Sequence, residues 1–554
     1  MVRARRRPNP QIARCTAEHP MSPLVLFAQQ SVTEEADMKV SRVWYVGAGP
    51  GDPELISVRG QRLLREAQLV VHDSEVAPDL LVQCARDAEL CEARVSEQAT
   101  TEELQSIARR LIEAVKAGLR VVRLKVGDPL FFSRALDEIA ELGSAGVDVH
   151  VLPGIASPLG AAAFAGVPLT GESGAGNVSF LSTIPLQAPS TIRDLVAEHA
   201  RAAESLCVLC TQAQLLSVVP ALLELPRWAT ASSALISKAT TPEQTVVEAS
   251  LDRLLDNLAA RSLPEPFMLI VGKGTQWRRR LGWYEQLPLR GRRLLLCRPR
   301  HQAQQSAQSI RERGARPILI PLIEIEPPTD PAPLQVCVTQ LSNYDWVILT
   351  SANGAEQLMH SITAQGRDAR AFGGARIAVI GPGTARPLSQ WGLVPDLVAK
   401  EHVAEGLARE LIADSHHACS ALLVRAQEAR DVLPLSLREA GLTVTVVSAY
   451  STRKLGAEQS SHIHGLLQAG GIDAVLLTSS SMADALVSTL GSSAAEELSR
   501  TCVASIGPIT TSKLEKSGVQ VDVTAKVYTV EGLLDSLEQH FDALQPHQLS
   551  EDPC

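Results

Sequence analysis

The sequence is poor in aromatic residues: Phe, Trp and Tyr together make up 3% of 554 positions. Its cores must therefore be built from Leu, Val, Ile and Ala. Long apolar runs are missing as well. None approaches the ~18 residues that mark a spanning helix, so no transmembrane segment is expected. There is no excess of positive charge either: 52 Lys and Arg face 61 Asp and Glu, a formal net charge of −9. That argues against a nucleic-acid binder, which carries a basic domain or stripe. It leaves an anionic small molecule open, because a local arginine cluster can focus potential in a cleft. Paired cysteines are also absent. The ten cysteines are scattered, and the one close pair, Cys207 and Cys210, lies in an apolar strand-like run with no nearby His. Buried thiols explain it better than zinc. The pattern suits a reducing compartment and a cytoplasmic location. His416-His417 has no Cys or carboxylate partner and reads as solvent-facing, so no metal is expected.

What is present is a soluble α/β composition, 45% hydrophobic and 20% charged, in a chain long enough for three or four domains. Residues 1–40 stand apart as an Arg- and Pro-containing extension that reads as disordered. Its apolar patch, Leu24 to Ala28, is too short for a secretory core; an organelle transit peptide is the alternative. Met38 is a second candidate start.

From Val43 the pattern changes. Val43 to Val46 reads as a buried strand, ended by Gly47-Ala48-Gly49-Pro50-Gly51-Asp52-Pro53, with Ser57 capping the helix behind it. The glycines allow close backbone approach. The prolines remove N–H donors, and Asp52 stands where a dinucleotide fingerprint needs its third glycine. The loop suits a bulky ligand without phosphates. Leu69 to Asp73 is a second strand. Thr100 and Glu103 have capping-box spacing ahead of a helix ended by Gly118. Strands at Arg120–Lys125 and Val149–Leu152 run into Val126-Gly127-Asp128-Pro129 and Pro153-Gly154. Loops at strand carboxyl ends are where open α/β sheets bind ligands. A second α/β stretch fills 178–272, and Trp283 to Gly291 reads as a linker.

The remainder holds an internal repeat. Ile377 to Thr384 recurs as Val503 to Thr510. Gly392, Asp396, Lys400 and Glu405-Gly406-Leu407 recur without a gap as Gly518, Asp522, Lys526 and Glu531-Gly532-Leu533. Asp345 to Ser351 mirrors Asp473 to Ser479. The period is too long for a solenoid and points to two similar α/β lobes with a cleft between them. The Thr-Ser and Gly-Pro-x-Thr segments end strands and should face that cleft. Hydroxyls and free N–H groups there suit a ligand rich in carboxylates. A two-lobed binding protein without catalysis is an alternative reading of such a cleft.

Residues 41–285 resemble the uroporphyrinogen-III C-methyltransferases of the tetrapyrrole methylase family. The resemblance rests on VGAGPGDPELI (46–56), VVHDSEVAPDLL (70–81), VVRLKVGDPLFFSR (121–134), VLPGIASPLGAAAFAGVPLT (151–170) and SKATTPEQTVV (237–247). It implies S-adenosylmethionine in a trough between two α/β lobes, held at Pro50, Val126, Gly127, Asp128, Phe131, Ala156, Ser157, Cys210 and Ala239. It also implies methyl transfer to C2 and C7 of uroporphyrinogen III. Asp73 would contact the pyrrole N–H or move a proton, Asp128 would meet the ribose hydroxyls, and Arg134 would bind an acetate or propionate. Homodimerisation through this half is the family expectation. The chain departs from the family at Val126, at Ala135 and Leu136, at Cys210 (where the family has Met), and at Gly171-Glu172, where the family carries His-Arg. An arginine facing a carboxylate attracts it by about 4 kcal/mol at roughly 4 Å and an effective dielectric near 20; a glutamate there repels it. A methylase half that is degenerate or acts on another tetrapyrrole is the corresponding alternative.

Residues 290–540 resemble uroporphyrinogen-III synthase, through GRRLLLCRPR (291–300), YDWVILTSANG (344–354), RAQEARDVLP (425–434), AYST (449–452), LLTSSS (476–481), SIGPITTSKLEKSG (505–518) and YTVEGL (528–533). The resemblance implies cofactor-free cyclisation of hydroxymethylbilane. Tyr450 would be the general acid, Thr384 and Thr510 would point into the cleft, and Ser351, Asn353, Ser479 and Ser480 would bind carboxylates. Other readings are a strand-end tyrosine with a wet hydroxyl for Tyr450 and helix N-caps for the two threonines. The expected organisation is an extension (1–40), a methylase unit (41–285), a linker (286–292), a synthase unit (293–540) and a tail (541–554). Within the synthase unit, lobe one takes 293–326 and 450–540, and lobe two 327–449.

Overall fold

The computed structural model describes residues 42–544, apart from 86, 94–99, 171–175, 260, 415–418, 430 and 455–456. The extension with Met38, residues 545–554, Gly171-Glu172 and His416-His417 lie outside the described residues; the first four residues of the expected tail instead end the helix Val530–Leu544, with Phe541 buried.

Among the described residues, four sheets organise the fold. In the first, β1 (Arg42–Gly47), β2 (Leu69–Asp73), β3 (Glu89–Ala93), β4 (Val121–Lys125) and β5 (Asp148–Leu152) are all parallel, in the order β3-β2-β4-β1-β5. Every residue of β2 and β4 is buried, as expected for parallel strands covered on both faces. The local signals act as read. Ser57 Oγ accepts from the Gly60 N–H at 3.1 Å. Thr100 and Glu103 form a reciprocal capping box ahead of the helix Thr101–Lys116, and Gly118 follows that helix with φ +80°. The second sheet holds β6 (Val178–Ser182), β7 (Ser205–Cys210), β8 (Ser232–Ser237), β9 (Thr245–Ser250) and β10 (Phe267–Gly272), in the order β6-β7-β10-β8-β9. Its β6–β7 pair is parallel and the rest antiparallel.

The loops after β1, β4 and β5 meet at three glycines. Gly49 and Gly127 exchange backbone hydrogen bonds of 3.2 and 2.8 Å. A Cβ on Gly154 would stand 2.1 Å from the Gly127 carbonyl oxygen and 2.8 Å from the Gly47 Cα. No side chain fits there, so the sequence VGAGPGDP and the turn Pro153-Gly154 are read together, as one junction.

The C-terminal half opens with β11 (Arg293–Leu296) and β12 (Arg316–Leu319). The chain then builds a complete second lobe from β13 (Ile323–Glu326), β14 (Trp346–Leu349), β15 (Arg376–Val379), β16 (Leu397–Val398), β17 (Ser420–Ala426) and β18 (Thr443–Lys454), and returns to the first with β19 (Ala474–Leu477), β20 (Cys502–Ser505) and β21 (Val523–Thr524). The sheets run β12-β11-β19-β20-β21 and β13-β18-β17-β14-β15-β16. The crossings lie between β12 and β13 and again after β18, because β13 pairs antiparallel with the end of β18. This places Ile323–Glu326 and Tyr450–Lys454 in lobe two, where the organisation expected from the sequence had both in lobe one.

The duplication is structural. Asp345 Oδ2 accepts from the Ser420 N–H and Asp473 Oδ2 from the Arg293 N–H, both at 2.7 Å. Asp396 Oδ2 and Asp522 Oδ2 accept from the N–H groups of Ile377 and Val503, both at 2.8 Å. Each aspartate ties a neighbouring strand at the amino end of its sheet. The segment read as a linker is docked rather than free. Leu289 is fully buried in the lobe-one core, its N–H bonds the Arg313 carbonyl at 2.9 Å, and the Arg290 guanidinium donates to the Gln244 carbonyl at 3.0 Å.

Gly154→Ala should break the three-loop junction. We expect the N-terminal half to lose more than about 2 kcal/mol of stability, as for other substitutions that force backbone apart. Calorimetry should show its transition lowered while that of the C-terminal half is unchanged.

Candidate functional site

Beyond the carboxyl ends of β1, β2 and β4 lies a cavity of about 1110 Å³. Pro50, Asp73, Val126, Phe131, Arg134, Ser157 and Ala239 line it, so seven of the residues proposed from the sequence converge. Gly127 lies in the loop junction and Ala156 is buried at the start of the helix Ser157–Phe164. Phe131 stacks edge-on to Phe180, with ring centroids 5.7 Å apart, which joins the two lobes across the trough. Asp128 braces the junction. Its Oδ1 accepts from the Leu130 N–H at 2.8 Å and its Oδ2 from the Gly154 N–H at 3.0 Å. Two of its lone pairs are spent on backbone before any ribose arrives.

The side chain of Cys210 does not join these residues. It is fully buried in the core of the second lobe, and burial pushes its thiol up to about 12. Its neighbours Leu209 and Thr211 line the cavity instead. Strand alternation turns the Cys210 side chain away, leaving only its backbone to reach a ligand. Cys207 packs in a different core cluster, so the two thiols do not share a site. Among the described residues no group of three or more His, Cys, Asp or Glu could hold a metal ion.

Beneath the cavity is a feature not singled out from the sequence. Arg123 is fully buried. Its Nη2 lies 2.7 Å from Asp73 Oδ1, and Nε and Nη2 donate to Glu138 at 2.9 and 3.0 Å. Lys125 Nζ sits 3.2 Å from Asp73 and 3.7 Å from Glu138, and the Tyr45 hydroxyl donates to Glu138 Oε2 at 3.0 Å. Two cations thus face two anions in direct contact. The signal was Arg123 and Lys125 inside an otherwise apolar strand. Burial raises the pKa of Asp73, but Arg123, Lys125 and the Val126 N–H, which donates to Oδ2 at 3.1 Å, more than reverse this and leave it lowered. Asp73 is therefore a fixed carboxylate, suited to accept a hydrogen bond and poorly suited to carry a proton. Arg134 lies at the rim, its Nη2 2.8 Å from Asp137.

In the C-terminal half the repeated segments become paired helix starts. Ser351 and Ser479 are the N-caps of Ala352–Ala364 and Ser480–Leu490, accepting from Gly354 and Met482 at 3.0 and 3.3 Å. Asn353 and Ser480 lie in the first turns of those helices. Thr384 and Thr510 are not caps. Gly381 and Gly507 hold those positions, with Pro382 and Pro508 next, and the buried threonines sit one turn inside. Proline at the first helical position places the cap three residues ahead of the reading from spacing. Four helix N-termini result, two per lobe, each favouring an anion. Tyr450 is 7% exposed; its hydroxyl lies 3.0 Å from Ser351 Oγ. Two arginines were missed. Burial lowers the pKa of Arg298, Glu531 opposes the shift, and Arg386 of the other lobe adds to it. Arg298 follows β11 and Arg386 lies on Pro382–Ser389, so cations approach from both lobes.

Residues 42–255 match the family described as Tetrapyrrole (Corrin/Porphyrin) Methylases, and residues 304–535 the family described as Uroporphyrinogen-III synthase HemD. A porphyrin biosynthesis protein HemD of Ruminiclostridium josui is 25% identical over 89% of this chain and 96% of its own length. A siroheme synthase of Pseudomonas fluorescens is 38% identical over 46% of this chain, and the match spans 55% of that protein. A uroporphyrin-III C-methyl transferase of Thermus thermophilus, solved with S-adenyl homocysteine, is 30% identical over 42% of this chain and 99% of its own, with a TM-score of 0.36. No helix among the described residues is long and apolar enough to cross a membrane.

Asp73→Asn would leave Arg123 and Lys125 facing Glu138 alone. Breaking a buried pair costs about 3–5 kcal/mol, which denaturant unfolding at pH 7 should read as a destabilisation of that size. Because the folded pKa of Asp73 is lowered, its contribution is present above the unfolded value of about 3.9 and is lost as pH falls through the folded one. The difference between wild type and Asp73→Asn should therefore shrink as pH drops below about 4.

Proposed function

Because the chain belongs to two families, the tetrapyrrole methylases over residues 42–255 and the uroporphyrinogen-III synthases over 304–535, we propose that it catalyses two consecutive steps of tetrapyrrole synthesis. The C-terminal half cyclises hydroxymethylbilane to uroporphyrinogen III with inversion of ring D. The N-terminal half then methylates that product at C2 and C7, giving precorrin-2. The observation that carries the reading is the convergence of the separated methylase motifs on one cavity, in the same chain as a duplicated pair of lobes whose repeated segments form four helix N-termini.

The residues present fit S-adenosylmethionine. The loop Gly47 to Pro53 is closed by glycines at the junction and stiffened by prolines, and it offers an approach for a flat ligand without a phosphate cradle. Pro50, Val126, Phe131, Ser157 and Ala239 would hold the group, with Asp128 keeping the loops in register. When bound it supplies an electrophilic methyl to a pyrrole carbon. Placing that carbon in line with the methyl provides most of the acceleration. Asp73, held as a carboxylate, would accept from a pyrrole N–H and fix the ring plane. Arg134 would bind a side-chain carboxylate, a charge-assisted contact.

In the C-terminal half the terminal hydroxyl of the bilane must leave as water. Tyr450 would donate the proton and Ser351, 3.0 Å away, would orient its hydroxyl. The helix N-termini and Arg298 and Arg386 would hold the carboxylates of the chain so that ring D attacks from its substituted carbon, gives a spiro intermediate and inverts before closure. An electron-rich pyrrole expels its hydroxyl readily, so one acid is not decisive.

Two assays test the reading. With hydroxymethylbilane the product should be the type III isomer; type I alone would remove the synthase assignment. With uroporphyrinogen III and S-adenosylmethionine under anaerobic conditions, two methyl groups should transfer; none would remove the methylase assignment and favour a degenerate half. Tyr450→Phe should lower kcat for cyclisation by only about tenfold, below the 10²–10⁴ usual for a general acid, with little change in KM.

A further inference from the structure

The cavity in front of the methylase loops is not walled by the N-terminal half alone. Its far side is built by Arg316, Ile318 and Leu319 of β12, by Arg311 of the helix Arg300–Glu312, and by His462 and Leu466 of the helix Ala457–Gln468. All belong to lobe one of the synthase half. β12 is the edge strand of its sheet, paired only with β11, and its open side is the one available to a neighbour. Ion pairs hold the wall in place. Arg311 Nη2 lies 2.9 Å from Asp79 and Arg316 Nη1 3.0 Å from Glu243, and both acids also line the cavity. The docked segment from Tyr284 to Gly291 fixes the same arrangement from one side. At about 1110 Å³ the space exceeds the roughly 300–1,000 Å³ of an ordinary small-molecule pocket, as a site for a macrocycle beside a second ligand must.

The charges divide in a telling way. Of the lysines and arginines on the cavity, Lys125 is committed to the buried cluster, and Arg134 at the rim and Lys238 are the others from the N-terminal half. Arg293, Arg311 and Arg316 come from the synthase half. Arg316 is the most accessible of these, with 54% of its side chain exposed, and its partner is a carboxylate that a ligand carboxylate can replace one for one.

We propose that this is a composite site, in which lobe one of the synthase half completes the methylase and Arg316, with Arg311 beside it, binds side-chain carboxylates of the macrocycle lying over the trough. This rests on reading the N-terminal half as a tetrapyrrole methylase. The synthase half thereby has a second use that does not involve its own cleft, and the cationic wall offsets the acids Asp79 and Glu243 on the methylase side.

Kinetics of the full-length chain test it. Arg316→Glu should raise KM for uroporphyrinogen III by about tenfold, the scale of one charge-assisted contact, with KM for S-adenosylmethionine unchanged. Arg370→Glu, a charge change on an exposed side chain away from the cavity, should alter neither, and cyclisation of hydroxymethylbilane reports that each variant is folded. An unchanged KM for the tetrapyrrole in Arg316→Glu overturns the proposal. Hydrogen exchange of the wild type with uroporphyrin III, the oxidised unreactive macrocycle, gives an arm independent of turnover. Residues 316–320 and the segment 73–82 should slow together. Slowing of 73–82 alone, or of neither, overturns the composite site. A wild type that shows joint protection and transfers no methyl overturns the methylase reading instead.

Discussion

The arginine buried under the methylase loops sets the terms for everything above it. A guanidinium taken fully out of water is sustained only if its hydrogen bonds are met and its charge is matched. Glu138 meets it with two oxygens and Asp73 with one. Lys125 and Tyr45 complete the set. The cluster ties the ends of β2 and β4 to the helix Ala135–Ser144, which begins at the rim residue Arg134. Its cost in desolvation is large, and apolar side chains of the same volume would stabilise such a fold at least as well. What apolar residues could not do is fix a carboxylate at the cavity floor, ionised and aimed by three donors. The cluster thus exchanges stability for a defined hydrogen-bond acceptor where the substrate's N–H groups would come.

The same chemistry recurs in a cheaper form in the C-terminal half. Asp345, Asp473, Asp396 and Asp522 each spend a carboxylate oxygen on a strand N–H, at matched places in two lobes. These are local contacts at the amino ends of the sheets. They leave the carboxyl ends free for helix N-termini, which are the groups a polycarboxylate needs. A chain with a net charge of −9 can therefore hold polyanions, because backbone dipoles and a few placed arginines act at short range while the net charge is screened over about 10 Å.

How much of this could be read in the sequence depended on the range of each interaction. Caps at Ser57 and Thr100 were legible because donor and acceptor lie three residues apart. The two lobes were legible because Asp396 and Asp522 repeat with their surroundings. The trough was legible because separated loops carry glycines that make sense only together. For Cys210 a family position says which strand meets the ligand but not which atoms do, and a strand turns alternate side chains to opposite faces. For Thr384 and Thr510 a cap was the other reading, because Gly-Pro-x-Thr places a hydroxyl near a helix start; glycine at the cap and proline at the first turn take that role. The buried cluster gave only a faint signal, two cations in an apolar strand, since Asp73 and Glu138 lie far along the chain. Arg298 and Arg386 gave none, because their proximity depends on how two lobes face each other. Arg311 and Arg316 are in the same position across the two halves.

Lobe one of the synthase half is the element both chemistries share. The carboxyl ends of β11, β19 and β20 lead to Arg298, Ser479 and Thr510, groups that would face the bilane in the proposed cyclisation. The edge strand β12 and the helix Ala457–Gln468 wall the methylase cavity. One sheet thus presents its strand ends to one ligand and its edge to another. This partition explains why the connection between the halves is short and buried at Leu289, where a flexible tether would serve two independent enzymes. A tether only raises effective concentration. A docked segment that hydrogen-bonds both halves fixes geometry, and geometry is what a wall shared between a methylase cavity and a synthase lobe requires.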